Sequence, residues 1–321
     1  MTLTILEPGL STTVQDDGRF GHYHIGMPPS GAMDLYSHAV GNLLVGNDEG
    51  AAGLEMTYNG VDARFDEDAT IALTGADMSP ELDGEPIPTW ESVDVEEGQV
   101  LSTSFSANGA RSYLAIGGGI DVEPRMGSRS TYELIGLGGH EGRSLEEGDE
   151  LPLGESGWNA PEGRSIPDED VLTYEGEKRL KVIMGLCDYR LTEESKAEFL
   201  DSEWKVTPEA DRIGYRFDGP DIEFVEREQP FGAGADLSNV VDVGYPIGSI
   251  QVSEQPIVLA SDAVTGGGYA TVGTVISPDR ALLAQCRTHE SVRFESVTID
   301  EALDARRERR ETLDRLRNSL E

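Results

Sequence analysis

The chain has 321 residues, enough for two domains of ordinary size, and its lack of any run of 18 or more apolar residues argues against a membrane-spanning helix. Its 61 acidic residues against 25 basic ones leave a formal net charge of −36, a surface that repels phosphate backbones and sets nucleic acid aside as a partner. The opening "MTLTILEPGL" has neither a basic start nor a small-residue cleavage site, so the sequence reads as that of a cytoplasmic protein.

Residues 1 to 27 read as two short strands around a turn: "LTILEPGLSTTVQ", then "DDG", then "RFGHYHIGM". "PPSGAMDLYSHAVGNLLVGN" (28–47) reads as a turn and then a helix. Asp34 is its N-cap, Leu35, Ala39, Val40, Leu43 and Leu44 form its buried face, and Gly46-Asn47 is its stop. Strand-like runs follow at 69–74, 93–95, 99–105 and 111–116, each bounded by Gly or Asp. Short strands with frequent turns point to a barrel or sandwich, away from a βαβ sheet.

From Gly154 to Lys178 the composition turns to Gly, Pro, Ser and acid, which marks a linker. A second β-rich unit begins with the strand "RLKVIMGL" and a helix in "LTEESKAEFLDSEW", with Thr192 as N-cap. "VTPEADRIGYRF", "GSIQVSEQPIVLASD", "YATVGTVIS" and "ALLAQC" complete it. The expected division is a first unit at 1–155, a linker at 156–177, a second unit at 178–298, and a charged helix at 299–321 with Asp304–Arg307 and Glu311–Arg315 pairs. That last helix has a thin apolar stripe, so it reads as solvated or partner-facing.

The acids run along the whole chain, and only four residues are lysine. This spread suits a cytoplasm of very high salt, where a Debye length of roughly 3 Å at about 1 M screens self-repulsion. The two cysteines, Cys187 and Cys286, form no zinc or redox pattern and read as buried free thiols. His22 and His24 would share one face of a strand, but no third ligand accompanies them, so no metal is expected.

No GxxxxGK[ST] loop, HExxH or GxSxG elbow is present. No lysine lies between methionines, so biotin would have to come from another chain. Three glycine clusters, "AIGGGID", "GLGGHEGR" and "TGGGYA", are either bulges and tight turns or nests for an anion. Arg129 in "MGSRSTY" and Arg212 in "EADRIGYRF" have a fork suited to carboxylate or phosphate, although in so acidic a chain an arginine commonly pairs with a neighbouring acid.

The ordered motifs "PGLSTTVQDDGRFGHYHIGMPPSGAMDLYSHAVGNLLVGN", "RSYLAIGGGIDVEPRMGSRSTY", "GGHEGRSLEEGDELPL", "DRIGYRFDGP" and "GSIQVSEQPIVLASDAVTGGGY" closely resemble the carboxyltransferase-domain family, from about residue 5 to 297. That family includes the C component of 5-oxoprolinase, part of urea amidolyase, and an antagonist of a sporulation-kinase inhibitor. The resemblance implies a mainly β fold with a few helices, built as two cyclophilin-like β-barrel units. It also implies work with partner proteins: the B and A components of 5-oxoprolinase with ATP, or carboxyl transfer from biotin held in trans. A small-molecule amide is the implied substrate.

Matching the family's patterns, Gln15, Asp16, Arg19, Ser30 and Asp34 are the expected catalytic residues. Arg129, Ser130, Arg212, Gln251, Asp262, Gly267, Gly268 and Tyr269 are the expected ligand contacts, with Asp16 or Asp262 alternatively orienting an arginine. The chain departs from the family at "GLC" (185–187), where Gly-Pro-Gln is usual, in the short loop "QVSEQP", and at "TGGG" (265–268), where Thr-Thr-Gly-Gly is usual.

Overall fold

The computed structural model describes residues 2–155 and 163–320, so residues 156–162 of the expected linker (156–177) lie outside the described residues. The protein is mainly β and divides into two compact units. The first holds residues up to Arg19, Ser30–Glu175 and the chain from Arg310 on; the second holds Phe20–Pro29 and Gly176–Arg309.

In the first unit the strands are β1 (Thr2–Glu7), β2 (Thr12–Gln15), β3 (Gly53–Thr57), β4 (Asp62–Phe65), β5 (Ala69–Gly75) and β6 (Glu81–Leu82). They continue as β7 (Glu85–Pro86), β8 (Ser92–Val95), β9 (Val100–Ser102), β10 (Arg111–Ile116) and β11 (Glu150–Pro152). They form a six-stranded sheet in the order β11-β1-β4-β9-β6-β7 and a five-stranded sheet in the order β2-β3-β10-β5-β8. Strands of both sheets turn Leu3, Ile5, Leu54, Phe65, Ile71, Leu101 and Leu114 into one core. Period-2 alternation on these strands makes a closed apolar interior the stable arrangement.

The helix α1 (Leu35–Leu44) starts where the sequence places it, with Asp34 Oδ1 accepting the Ser37 N–H at 3.0 Å. Gly46, at φ 76°, follows its end in the left-handed region that favours glycine. Its burial differs from expectation. Leu35 is exposed, whereas every residue from Tyr36 to Leu44 is buried. The reason is that α1 is covered twice. It contacts β5 and β10, and Tyr36, Val40, Leu43 and Leu44 also join a cluster with Trp90, Ile166 and Leu316.

Leu316 belongs to the C-terminal helix α4 (Ile299–Leu320), whose end completes this core. The expected solvated helix therefore buries a stripe, with Leu316 at 0% exposure and Leu313 and Leu320 packed beside it. The Asp304–Arg307 pair forms at 2.6 Å. Arg315 instead turns to Asp170, with bonds of 2.6 and 2.9 Å, because a bidentate carboxylate in a fixed loop outcompetes a helix neighbour.

In the second unit the strands are β12 (Lys178–Met184), β13 (Trp204–Val206), β14 (Gly214–Asp218), β15 (Asn239–Gly244) and β16 (Ser249–Val252). They continue as β17 (Pro256–Leu259), β18 (Gly266–Tyr269), β19 (Thr271–Val275) and β20 (Ser291–Ser296). Seven of them close a barrel in the order β12-β19-β16-β17-β14-β13-β20, and β15 with β18 forms a separate ribbon. Closure is made by a parallel pair, Lys178↔Val292 through Val182↔Ser296. The helices are α2 (Glu193–Asp201), capped by Thr192 as expected, and α3 (Arg280–Ala284). Trp204 is fully buried, its Nε1–H donating to the Phe199 carbonyl at 2.9 Å. Cys187 and Cys286 are buried free thiols.

Two local expectations are corrected. "RFGHYHIGM" is a turn and a 3₁₀ helix (Tyr23–Ile25), since Gly21 and Gly26 take φ of 91° and 80°, which breaks a strand; His22 and His24 therefore do not share a strand face. "GGGY" (266–269) is strand β18, its Gly267 opposite Val243, and this glycine admits the Tyr245 ring where a Cβ would meet it at 3.0 Å.

Candidate functional site

Ala32 N–H donates to the Asp16 carbonyl at 2.9 Å, which lays residues 30–32 beside 15–18 in the first unit. Gly31 is required there: its φ is 82°, and a Cβ would stand 2.8 Å from Gly18 Cα.

Asp16 is the hub of this loop pair. Its Oδ1 accepts from Gly18 N–H at 2.9 Å, from Ser128 Oγ at 2.7 Å and from Ser130 Oγ. Its Oδ2 accepts the Arg129 N–H at 2.5 Å. Arg19, 1% exposed, donates to the carbonyls of Arg125 (2.9 Å) and Ser130 (2.7 Å). Asp16, Arg19 and Ser130 are thus brought together, and what they jointly do is hold the 125–131 loop. Among the described residues Asp16 binds serines and amides and pairs with no arginine side chain.

Gln15 Nε2 donates to Thr13 Oγ1 at 2.9 Å and to the Thr131 carbonyl at 3.3 Å, while its Oε1 and the Ser30 hydroxyl are buried with no hydrogen-bond partner among the described residues. Asp34 caps α1 and also accepts the Ser37 hydroxyl at 2.6 Å. Its own N–H donates to Tyr113 Oη at 2.8 Å, and Tyr113 donates to Glu55 Oε2 at 2.8 Å. Glu55 also accepts the Met33 N–H at 2.7 Å and lies 3.6 Å from Arg111 Nε. Asp34→Ala is expected to cost about 1–2 kcal/mol, the cap plus the acceptor of the Ser37 hydroxyl, which keeps only Tyr174 Oη at 3.1 Å, read as a lower urea midpoint.

His38 lies in the same interior, fully buried, with its Nε2 3.2 Å from Asn42 Nδ2. Burial pushes its pKa down to about 4, against smaller opposing pulls from Asp16 and Glu55. An unfolded His38 takes up its proton near pH 6.5. Stability is therefore lost as pH falls from about 6.5 to about 4, by about 3 kcal/mol in all, and this group takes nothing more below that. Urea unfolding between pH 7 and pH 4.5 should show this slope, and His38→Gln should flatten it.

The accessible part of the site is a cleft of about 620 Å³ lined by Asp17, Gly46, Asn47, Asp48, Gly50, Ala51, Gly118, Arg129 and Glu155. Of the residues expected from sequence, Arg129 alone lines it. Its Nε donates to the Val122 carbonyl (2.9 Å) and its Nη2 to Asp121 (2.7 Å), which fixes the guanidinium. Burial, then the charge of Asp16, raises the Asp17 carboxyl above the ordinary range. Gly50 makes room for it, since a Cβ there would meet Asp17 Cγ at 2.9 Å. The sequence motif "QDDGR" holds both aspartates. The first is occupied by the fold and the second faces the cleft.

In the second unit Arg212 pairs with Asp262 at 2.7 Å, so Asp262 does orient an arginine. Gln251 stands opposite Thr271 on β16 and β19, and its Nε2 and Thr271 Oγ1 are both buried without a hydrogen-bond partner among the described residues. Tyr269 donates its N–H to Tyr245 Oη at 2.7 Å, and its ring is half-exposed. Gly267 and Gly268 supply backbone to β18.

The profile of the carboxyltransferase domain, subdomain A and B, matches residues 25–296. The chain is 35% identical over 314 residues to the C component of 5-oxoprolinase from Escherichia coli (strain K12), covering 98% of this chain and 97% of the relative. It is 32% identical over 329 residues to the same-named component from Haemophilus influenzae, covering 99% of each. The crystal structure of the K. lactis urea amidolyase superposes with a TM-score of 0.93 at 31% identity, over 98% of this chain and 20% of that one. The chain belongs to the carboxyltransferase-domain family of subdomains A and B.

Proposed function

We propose that the chain is the C component of an ATP-dependent 5-oxoprolinase, acting with the A and B components to open the 5-oxoproline lactam to glutamate. The observation that carries this reading is a likeness spanning nearly all of the E. coli C component. Lactam opening needs a polarised carbonyl, a held oxyanion and a proton for the departing nitrogen. The cleft offers Arg129 for the first two tasks and Asp17, whose carboxyl keeps its proton to higher pH than usual, for the third. ATP is the co-substrate in this reading. The sequence contains no GxxxxGK[ST] loop, and no residue of this chain is assigned to ATP.

The test is glutamate formation from 5-oxoproline and ATP by this chain mixed with its A and B partners in high salt. Turnover is expected only with all three present, and Asp17→Asn should reduce it while leaving the fold intact. Absence of turnover in the full mixture would overturn the assignment. The likeness to the K. lactis urea amidolyase favours one second reading, a biotin-dependent carboxyltransferase component with biotin on another chain. Carboxyl transfer from carboxybiotin to urea would establish it. Tight partner binding with neither activity would indicate a non-enzymatic regulator.

A further inference from the structure

Three separate stretches of the first unit enclose a recess of about 320 Å³: Leu43 with the 46–49 turn after α1, then Arg164, then Arg317 with Leu320 near the end of α4. Its walls are held from behind. Asn47 Nδ2 donates to Asn42 Oδ1 (2.9 Å) and to the Ile116 carbonyl (2.8 Å), and its Oδ1 accepts the Gly118 N–H at 2.8 Å, which fixes the turn. Arg164 donates its backbone N–H to Ser92 Oγ at 2.9 Å, and its carbonyl accepts the Ser92 N–H at 2.8 Å, which ties its backbone to the edge strand β8. Leu43 is buried in the cluster of Leu316, and Leu320 packs against the same cluster, so one side of the recess is apolar.

The charges around the recess divide into a closed set and a remainder. Arg310 and Arg317 both pair with Glu49, and they lie 3.2 and 3.1 Å from Asp314, so these two cations and two anions balance. The remainder is Arg164 and Asp48. Among the described residues neither side chain has an ion pair or a hydrogen bond, and the two lie beyond ion-pair distance of each other. Asp48 is exposed and Arg164 half-buried, so a solute can reach both. A dianion such as phosphate would meet Asp48 and Glu49 as well as Arg164, and a simple cation would meet two guanidiniums. A solute with one charge of each sign and an apolar part suits all the walls.

We propose that this recess binds a free α-amino acid with an aliphatic side chain, its carboxylate on Arg164, its ammonium on Asp48 and its side chain against Leu43 and Leu320. The guanidinium fork matches the two oxygens of a carboxylate. The recess lies at the C-terminal ends of α1 and α4, whose dipoles favour the ammonium. The 46–48 turn also lines the cleft of Asp17 and Arg129, so the two cavities share a wall, whereas Arg164 and the α4 residues line the recess alone. The inference stands whether or not the chain is a 5-oxoprolinase component.

The test is calorimetric titration of the full chain, at one fixed ionic strength, with L-leucine, N-acetyl-L-leucine and 3-methylbutylamine, the last two lacking the ammonium and the carboxylate respectively. L-Leucine is expected to saturate in the millimolar range or tighter, and each of the other two to bind at least about tenfold more weakly. Arg164→Gln and Asp48→Asn should each weaken leucine at least about tenfold. Both should keep the parent's urea midpoint, since neither side chain bonds to the fold. Arg125→Gln, which removes an exposed arginine paired with Glu123, should bind leucine as the parent does. 5-Oxoproline, whose nitrogen is an amide, should not displace leucine; displacement would put leucine in the neighbouring cleft and overturn the proposal. Absence of saturation, equal binding of either leucine derivative, or parent-like affinity in Arg164→Gln or Asp48→Asn would overturn it as well.

Discussion

Asparagine in place of Asp16 will destabilise the first unit by about 3 kcal/mol, an effect visible as a lower urea midpoint with an unchanged slope. The carboxylate has no donors of its own and collects four: Gly18 N–H, two serine hydroxyls and the Arg129 N–H. An amide would turn an NH₂ toward one of those donors and leave it unsatisfied in a buried site. Ser130→Ala removes one donor to the carboxylate and the acceptor of the Asp16 N–H, 3.0 Å away, and should cost about 2 kcal/mol. A D16N protein that unfolds like the parent but has lost turnover would move Asp16 from the fold into the chemistry.

The second large effect is expected at Glu55. Its removal in Glu55→Ala takes the acceptor from Met33 N–H and Tyr113 Oη and the carboxylate from beside Arg111, and should cost about 4 kcal/mol. The loss is shared with Tyr113. In the double variant with Tyr113→Phe, the combined cost should fall well short of the sum, since both substitutions break one network. Strict additivity in the cycle would show that the two side chains act independently, contrary to their 2.8 Å contact.

The same two acids show what is legible in the sequence. Asp16 stands in a motif, so it is visible as important, but a motif cannot tell a carboxylate that binds ligand from one that binds the neighbouring loop. Its partners are 112 to 114 positions away, as the bonds to Ser128 and Ser130 show. Glu55 gives no signal at all. A single Glu in a strand reads as a solvent-facing residue, and its neutralising surroundings come from β10, a separate stretch of chain. Helix α1 is legible in its cap and stop because those are local bonds. Its second covering layer is not, because Leu316 reaches it from a helix whose composition is nearly all charged. The strands at 69–75 and 111–116 follow from apolar runs between turns, whereas β3 is hidden by the Glu in its middle. Arg129 is marked by its motif. Asp17, its neighbour in the cleft, is masked by the more conspicuous acid beside it.

The parallel pairing of β12 with β20 has a consequence for how the protein is made. Lys178 must wait for Val292 before the barrel can shut. On the ribosome, the growing second unit therefore carries open strand edges through most of its synthesis, the condition in which sheets pair with the wrong chain. So distant a contact also makes closure a late and slow step of refolding. A chain ending before Ser291 should emerge as an aggregating species, even though every other strand of the barrel would be present.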